Sequence, residues 1–526
     1  MIGILLNDNA YEQDIRELLM AFYPGETFAH QKGAEVSFYV EGNVNQDRTQ
    51  FELFFLNDKG QREERTEAGR PDGTESEQSL PWPEFPKELL GEWEEFCRNL
   101  PVVLPYEDRT VSKSKIKRRL YFMLHIRTGK LLPWGTLTGI RPTKIAMSRL
   151  EAGWSKDEIR NYMRQMYLIG SEKLELSLEI AEREIRLLSP LNYEQGYSLY
   201  IGIPFCPTTC LYCSFTSYPI GKWKGRTGEY LEALFKEMEY TAKKMAGRPL
   251  DTIYFGGGTP TSLDAEDLDR LLTKLRETFP VEQALEFTVE AGRPDSITRE
   301  KLEVLKRHGV TRISINPQTM KQKTLDIIGR HHTVDMVKET FATARELGFD
   351  NINMDFIIGL PGETSEDVRA TMEEIKKLKP DSITVHALAI KRASRLHLLW
   401  EEYKDQTGCD IDAMAEVTAA TAREMGLEPY YLYRQKNMAG NFENVGYAAP
   451  GKACIYNILI MEELQTIAAC GAGTTTKLIF PAENRKERVE NVKDADQYAA
   501  RIDEMLERKE KIVTIQPCED SDRKKR

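Results

Sequence analysis

The chain has 526 residues, 41% of them hydrophobic and 29% charged, with a net charge of −11, so two or three domains are expected and a general nucleic-acid binder is excluded. No apolar run approaches the roughly 20 residues that span a bilayer. The opening MIGILLNDNAYEQD is too short and too poor in basic residues for a secretory leader, so a cytoplasmic protein is expected, its eight cysteines serving as ligands and free thiols rather than as disulfides.

Taken in order, residues 1–56 read as a small α+β unit. A strand over Ile2 to Leu6 and a helix over Tyr11 to Phe22 precede two alternating runs, Glu35 to Val40 and Gln50 to Phe55. Residues 57–85 are charged and rich in Gly and Pro, a polar linker or loop. Residues 86–190 are helical in pattern, best over Lys87 to Leu100, Lys113 to Leu124 and Lys156 to Leu188. The basic run Lys113 to Arg119 is read as a solvated helix face, with an anion site as the rival. Gly135 to Lys144, carrying Arg141 and Lys144, is either an anion-holding loop at a helix N-terminus or a plain connection.

From residue 191 to 390 strands and helices alternate. Strand-like runs lie at Tyr197 to Ile203, Thr252 to Phe255, Leu285 to Val289, Arg312 to Ile315, Ile352 to Ile358 and Ser382 to Ala387. Helical stretches fall between them, Tyr230 to Ala246, Ala265 to Thr278, Arg299 to His308, Val334 to Leu347 and Ser365 to Leu378. This pitch predicts βαβ units and a parallel sheet. Over 391–516 the alternation fades; Tyr403 to Met425 is helical, Tyr430 to Phe480 is rich in Gly and Asn, and 517–526 is a charged tail.

The chemistry concentrates at Ile201 to Phe215, IGIPFCPTTCLYCSF, where Cys206, Cys210 and Cys213 stand as C-x3-C-x2-C. Thiolates are soft anionic ligands for iron, and three on one short loop can hold a cubane cluster with one iron left open. Zinc knuckles, disulfides and chance are the alternatives, but no second C-x2-C or H-x3-H pair follows for a zinc site. Pro204 ends the preceding strand, so the cysteines begin at its C-terminal end, the functional face of α/β barrels. The other strands deliver polar groups at the same end: Gly256-Gly257-Gly258-Thr259, Glu290, Gln318 and, inside an apolar strand, Asp355. A buried carboxylate needs a partner, and Arg330 is a candidate for Asp355. Tyr200 and Tyr212 flank the cysteines and serve either a cofactor or the core. His331 and His332 are adjacent and diverge, so they are not read as a shared metal site. Cys97, Cys409, Cys454, Cys470 and Cys518 are dispersed, and idle thiols are expected.

The string Y-x-x-I-P-F-C-x3-C-x-Y-C resembles the radical S-adenosylmethionine superfamily and, within it, the oxygen-independent coproporphyrinogen III oxidase group, over about Tyr197 to Phe480. Gly202 stands where that group usually has His, Phe215 where the best-known oxidases have a further Cys, and a long N-terminal part precedes the motif. These departures look like the coproporphyrinogen dehydrogenase branch of the HemZ type. The resemblance implies an α/β fold, an incomplete (β/α)6 barrel with an N-terminal α+β and helical extension and a C-terminal α+β segment beside it. It implies that Cys206, Cys210 and Cys213 hold a [4Fe–4S] cluster and that S-adenosylmethionine completes it. Gly257, Gly258, Thr259, Tyr200, Tyr212 and Glu290 would meet that cofactor, and Gln318, Arg330 and Asp355 a second molecule of it. The group's E-x-x-P is one residue longer here, Glu290-Ala-Gly-Arg-Pro294. The implied reaction is oxidative decarboxylation of coproporphyrinogen III propionates to vinyl groups, giving protoporphyrinogen IX. Partners would be a tetrapyrrole and an electron-donor protein such as flavodoxin or ferredoxin, with no nucleic acid and no membrane span. A haem chaperone, an enzyme for another tetrapyrrole and a zinc-bound structural protein are the rivals, and no catalytic proton donor is assigned.

Overall fold

A computed structural model describes residues 1–33, 35–47, 50–63, 81–97, 102–103, 109–407, 410–434 and 443–512. The expected charged tail, most of the 57–85 linker and part of the Gly- and Asn-rich stretch lie outside them. Contacts divide the chain into two compact units, one built on Met1–Glu182 and one on Arg183–Tyr433 with the segment from Glu443 onward.

The first unit has a sheet in the order Phe28–Ala29, Ile2–Leu6, Phe38–Val44, Gln50–Leu56, Val102–Val103. The first three strands are parallel and the last two join antiparallel. Helix Glu12–Phe22 turns Ile15, Leu18, Leu19 and Phe22 into a core shared with helix Arg109–Thr128. Beside it an aromatic cluster of Trp82, Phe85, Trp93, Phe96 and Phe122 packs in edge-to-face and tilted pairs. A cavity of about 430 Å³ opens between Trp82, Tyr121, Leu132, Pro133, Leu168 and Ile169.

Two expectations for this unit need correction. The basic run is not a solvated face, because Lys117, Arg118 and Arg119 are buried. Each is paired: Arg118 grips Glu92 at 2.7 Å, Lys117 donates to Thr138 at 2.9 Å and Arg119 lies 4.5 Å over the Phe96 ring. The stretch Lys156 to Leu188 is two helices, Lys156–Tyr167 and Ser171–Leu188, broken where Leu168 adopts a left-handed C-cap with φ 57°.

In the second unit the strands Tyr197–Ile203, Leu250–Gly257, Glu286–Gly292, Arg312–Ile315, Ile352–Ile358 and Ser382–Ala387 lie side by side in chain order, all parallel. The sheet is the incomplete (β/α)6 barrel. Crossover helices Ala265–Thr278, Arg299–Arg307, Val334–Glu346 and Ser365–Leu378 each start on a side-chain cap, from Asp264, Thr298, Thr333 and Thr364. A short helix, Gln322–Ile327, was not anticipated, and the helix expected from Tyr403 begins only at Ile411.

Strand alternation assigns the two faces of this sheet. Leu199, Ile201, Ile253, Phe255, Ile313, Met354 and Ile383 are buried apolar residues, whereas the intervening positions carry Ser198, Thr252, Glu286, Arg312, Asn353 and Ser382. The latter bond to one another, Thr252 to Ser198 at 2.7 Å, Arg312 to Ser382 at 3.3 Å and Ser382 to Asn353 at 3.0 Å. The inner face is thus largely polar, with Ile357 an apolar exception.

The C-terminal stretch extends this sheet at both ends. Asn444–Ala448 and Glu428–Tyr433 add antiparallel to the Ser382 strand. Thr466–Cys470 pairs parallel with Tyr197–Ile203 and continues into the antiparallel strands Thr475–Phe480 and Arg485–Glu490. Among the described residues no helix is long and apolar enough to cross a membrane.

Candidate active site

Pro204 ends the first barrel strand, and the loop beyond it is tied down along its length. Phe205 and Cys206 pair with Tyr218 and Pro219. The Leu211 amide donates to Ile328 O at 2.9 Å, Leu211 O accepts from the Leu396 amide at 2.8 Å, and Thr208 Oγ1 donates to Gly329 O at 3.1 Å. Cys206, Cys210 and Cys213 are free thiols on this loop, Cys210 buried and the others partly so. Burial pushes the Cys206 thiol up and the Cys213 thiol to about 11, so metal binding here would release protons.

The three-glycine turn approaches this loop closely. Gly258 and Thr259 donate their amides to Ile203 O and Phe205 O, both at 2.7 Å. A Cβ on Gly258 would sit 2.5 Å from Phe205 O, so glycine is needed for two backbones to meet. Gly257, with φ 105°, also demands glycine. These two amides therefore serve the cysteine loop rather than an open ligand site, and the Thr259 hydroxyl lies 3.5 Å from Cys206 Sγ.

The remaining anticipated residues fall into two groups. Glu290 accepts from Tyr254 OH at 2.5 Å, and Tyr200 stacks with Tyr254 and Tyr456, 6.1 Å from each ring. Glu290 is deep in the unit yet retains accessible surface, as befits a wall of an internal space. Burial raises its carboxyl to about 7, with Asp355 adding to the effect and Tyr254 opposing it. Tyr200 is therefore part of an aromatic wall inside the barrel, its hydroxyl only 3.1 Å from where a Cβ on Gly256 would sit and so beside the glycine turn. Tyr212 packs against the apolar cluster that includes Leu325, Ile328 and Leu360 and adjoins Arg330.

Arg330 is not the partner of Asp355. It donates to Asn316 O and lies beside Tyr212 and Cys210, and Asp355 instead accepts from Asn353 Nδ2 at 2.7 Å, two residues along the same strand. Gln318 adopts φ 70° between Asp355 O and the Ile357 amide. Its Oε1, together with Asn316 Oδ1 and Ser314 Oγ, is buried with no hydrogen-bond partner among the described residues. Each unpaired buried group costs about 1–3 kcal/mol, so this strand end is prepared for a ligand that donates hydrogen bonds. His331 is exposed and His332 buried, which separates them as expected.

Four residues escaped the sequence reading. His386 Nδ1 lies 3.3 Å from Tyr433 OH on the inner face, and burial holds its imidazole below the usual value although Asp355 opposes this. Tyr254 is the partner of Glu290. Arg293 is buried against the cysteine loop. The period-two polar alternation of the strands was the available signal for Tyr254 and His386; Tyr433 and Arg293 had none.

The residues present fit a thiolate cluster and a cationic cofactor. Among the described residues no three His, Cys, Asp or Glu side chains close on one point, as a single metal ion requires, whereas a cubane spaces its thiolates more widely. Two guanidiniums adjoin Cys210, Arg293 at 3.8 Å and Arg330, and supply countercharge to an anionic group. The unpaired oxygens of Ser314, Asn316 and Gln318 and the carboxylates of Glu290 and Asp355 suit an ammonium and ribose hydroxyls.

The Radical SAM superfamily profile matches residues 200–375. The oxygen-independent coproporphyrinogen-III oxidase-like protein HemZ of Bacillus subtilis is 45% identical over 395 residues, 74% of this chain and 79% of its own length. Heme chaperone HemW of the same organism is 36% identical over 245 residues, 45% of this chain and 62% of its own. The oxygen-independent coproporphyrinogen III oxidase of Escherichia coli is 30% identical over 225 residues, 43% of this chain and 49% of its own. Its solved structure superposes with a TM-score of 0.49 at 23% identity, covering 64% of this chain and 73% of that one.

Proposed function

The chain belongs to the radical S-adenosylmethionine superfamily and, within it, to the oxygen-independent coproporphyrinogen-III oxidase-like proteins, and we propose that it oxidatively decarboxylates propionate side chains of coproporphyrinogen III. The superfamily uses a [4Fe–4S] cluster and S-adenosylmethionine. When bound, the two supply reductive cleavage of the sulfonium and hence hydrogen-atom abstraction from an unactivated carbon. Each propionate would then lose a hydrogen atom to the cofactor-derived radical, carbon dioxide to solution and one electron to an external one-electron acceptor, leaving a vinyl group.

This chain's residues divide the remaining work. Cys206, Cys210 and Cys213 hold the cluster; Glu290, Thr259 and the glycines Gly257 and Gly258 shape the cofactor's bed beside it. Gln318, Arg330 and Asp355 line the adjoining strand ends, where a second cofactor molecule or the substrate docks. Gly202 has no side chain to donate a proton, and a side chain there would run into Thr474; proton handling is assigned to the His386 and Tyr433 pair, 3.3 Å apart. The electron donor is a small redox protein of the flavodoxin or ferredoxin kind. The observation that carries the reading is the contiguity of the cysteine loop with the polar strand ends: Thr259 reaches Cys206, and Arg330, bonded to Asn316 O, lies beside Cys210.

The similarity to the HemW chaperone supports a second reading, haem binding without turnover. Protein reconstituted anaerobically with iron and sulfide, then incubated with coproporphyrinogen III, S-adenosylmethionine and dithionite, separates the two. The oxidase reading expects 5′-deoxyadenosine and stepwise loss of carbon dioxide from the tetrapyrrole. Stoichiometric haem binding with neither product overturns it.

A further inference from the structure

Between Glu290 and Pro294 the chain carries one residue more than the resembled group, and the fold absorbs it as a bulge. Pairing of this strand with its neighbour slips between Val289 and Gly292, and Gly292 takes φ 75°. A bulge bends a strand and re-aims the side chain that follows. Here that side chain is Arg293, only 2% exposed. Its Nη1 donates to Thr208 Oγ1 at 2.7 Å and Thr208 O at 3.1 Å, and lies 3.8 Å from Cys210 Sγ. Its other edge holds Asp295 through two bonds of 3.0 and 2.6 Å. Thr208 is midway between Cys206 and Cys210, so one guanidinium grips both the backbone of the loop and one of its sulfurs.

We infer that Arg293 is a positioning residue for the cysteine loop: it fixes Thr208 and sets a permanent positive charge against the Cys210 sulfur, raising the reduction potential of the cluster. A guanidinium stays protonated at any working pH, and a buried cation stabilises the reduced, more negative state of a nearby redox group. Asp295 neutralises part of that charge and keeps the fork flat against the loop. The inference rests on the cluster and not on the identity of the substrate.

The test uses the full chain, reconstituted anaerobically, with Arg293→Gln, Arg293→Lys and Asp295→Asn beside the parent. The cluster potential is read by a redox titration followed by electron paramagnetic resonance, and loop order by iodoacetamide alkylation rates in the metal-free protein. Arg293→Gln should lower the potential by about a tenfold shift in the reduction equilibrium, 59 mV for one electron, and speed alkylation. Arg293→Lys should restore the potential but not the slow alkylation, because an ammonium keeps the charge and loses the fork. Asp295→Asn should raise the potential. Unchanged potentials in Arg293→Gln and Asp295→Asn overturn the inference. If Arg293→Gln takes up no cluster, Asp295→Asn decides alone, since it leaves the arginine in place. A parent protein that binds no iron and sulfide overturns the cluster reading and this inference with it, whereas a failed tetrapyrrole assay touches neither.

Discussion

Glu290 shows how one residue's environment sets its behaviour. Its carboxyl, ordinarily near 4.5, is raised to about 7 by burial and by Asp355, so the folded chain holds a proton that the unfolded chain has released. The group therefore favours folding below pH 4.5, and that contribution is lost as pH rises through 7, a change of about 3 kcal/mol. Denaturant titrations should show the parent losing stability relative to Glu290→Gln across this window; parallel curves would contradict the assignment. A cationic cofactor reverses the preference, because its charge favours the carboxylate. The affinity for S-adenosylmethionine, measured by calorimetry, should accordingly tighten up to about pH 7 and level off, while Glu290→Gln stays flat. Cys210→Ser removes a thiolate for which the loop has no substitute, and iron and sulfide content and the brown absorbance should fall together; full absorbance would exclude Cys210 as a ligand. His386→Asn should slow turnover at least tenfold while S-adenosylmethionine binding persists, if the His386 and Tyr433 pair carries protons.

At the scale of elements, the close approach of the glycine turn to the cysteine loop is the most exposed to substitution. Gly258→Ala places a methyl against the carbonyls of Phe205 and Ile203, at 2.5 and 2.9 Å, and both are backbone atoms that cannot swing aside. A loss of about 1–3 kcal/mol in urea denaturation should come with reduced iron content; a variant with normal stability and normal iron would show that the loop yields freely. Strand order and crossover helices were legible because each rests on a local signal, apolar runs bounded by Gly or Pro and a capping Asp or Thr. The break at Leu168 was not, because a leucine in a left-handed cap interrupts a periodicity that the sequence continues. The burial of Lys117, Arg118 and Arg119 was equally hidden, since charge in a short run looks the same whether its partners are solvent or a distant Glu92 and Phe96.

Within the larger unit as a whole, the last described helical turn, Lys509–Lys511, is built into the barrel edge. Lys509, 1% exposed, pairs with the fully buried Glu237 at 3.1 Å and donates to Thr241 Oγ1 at 3.1 Å. Glu237 in turn accepts from the Gly471 amide at 2.7 Å, from Asn491 at 2.6 Å and from Tyr498 at 2.5 Å. Tyr230, on the same helix Thr227–Lys244, donates to Gly202 O at 2.7 Å, so the network ends on the strand that feeds the cysteine loop. Lys509→Met strands a buried carboxylate and should cost about 3–5 kcal/mol, with the double variant Glu237→Gln, Lys509→Met regaining part of it. Melting curves of the two variants check this; a single variant as stable as the parent would mean that the carboxylate finds water.

The sequence by itself determined the chemistry and the scaffold: a C-x3-C-x2-C loop at a strand end, glycines at the next and six strands alternating with helices, all carried by residues close together in the chain. Tertiary structure alone decided the partners. Asp355 is served by Asn353 and not Arg330, Arg293 reaches a loop 83 residues away at Cys210, and strands from the C-terminal stretch extend the sheet at both ends. The long-range pairings depend on strand register and on the bulge at Gly292, which bring together side chains far apart in sequence, whereas the Asn353 and Asp355 pair lies within one strand and was masked by Arg330, by charge the stronger partner.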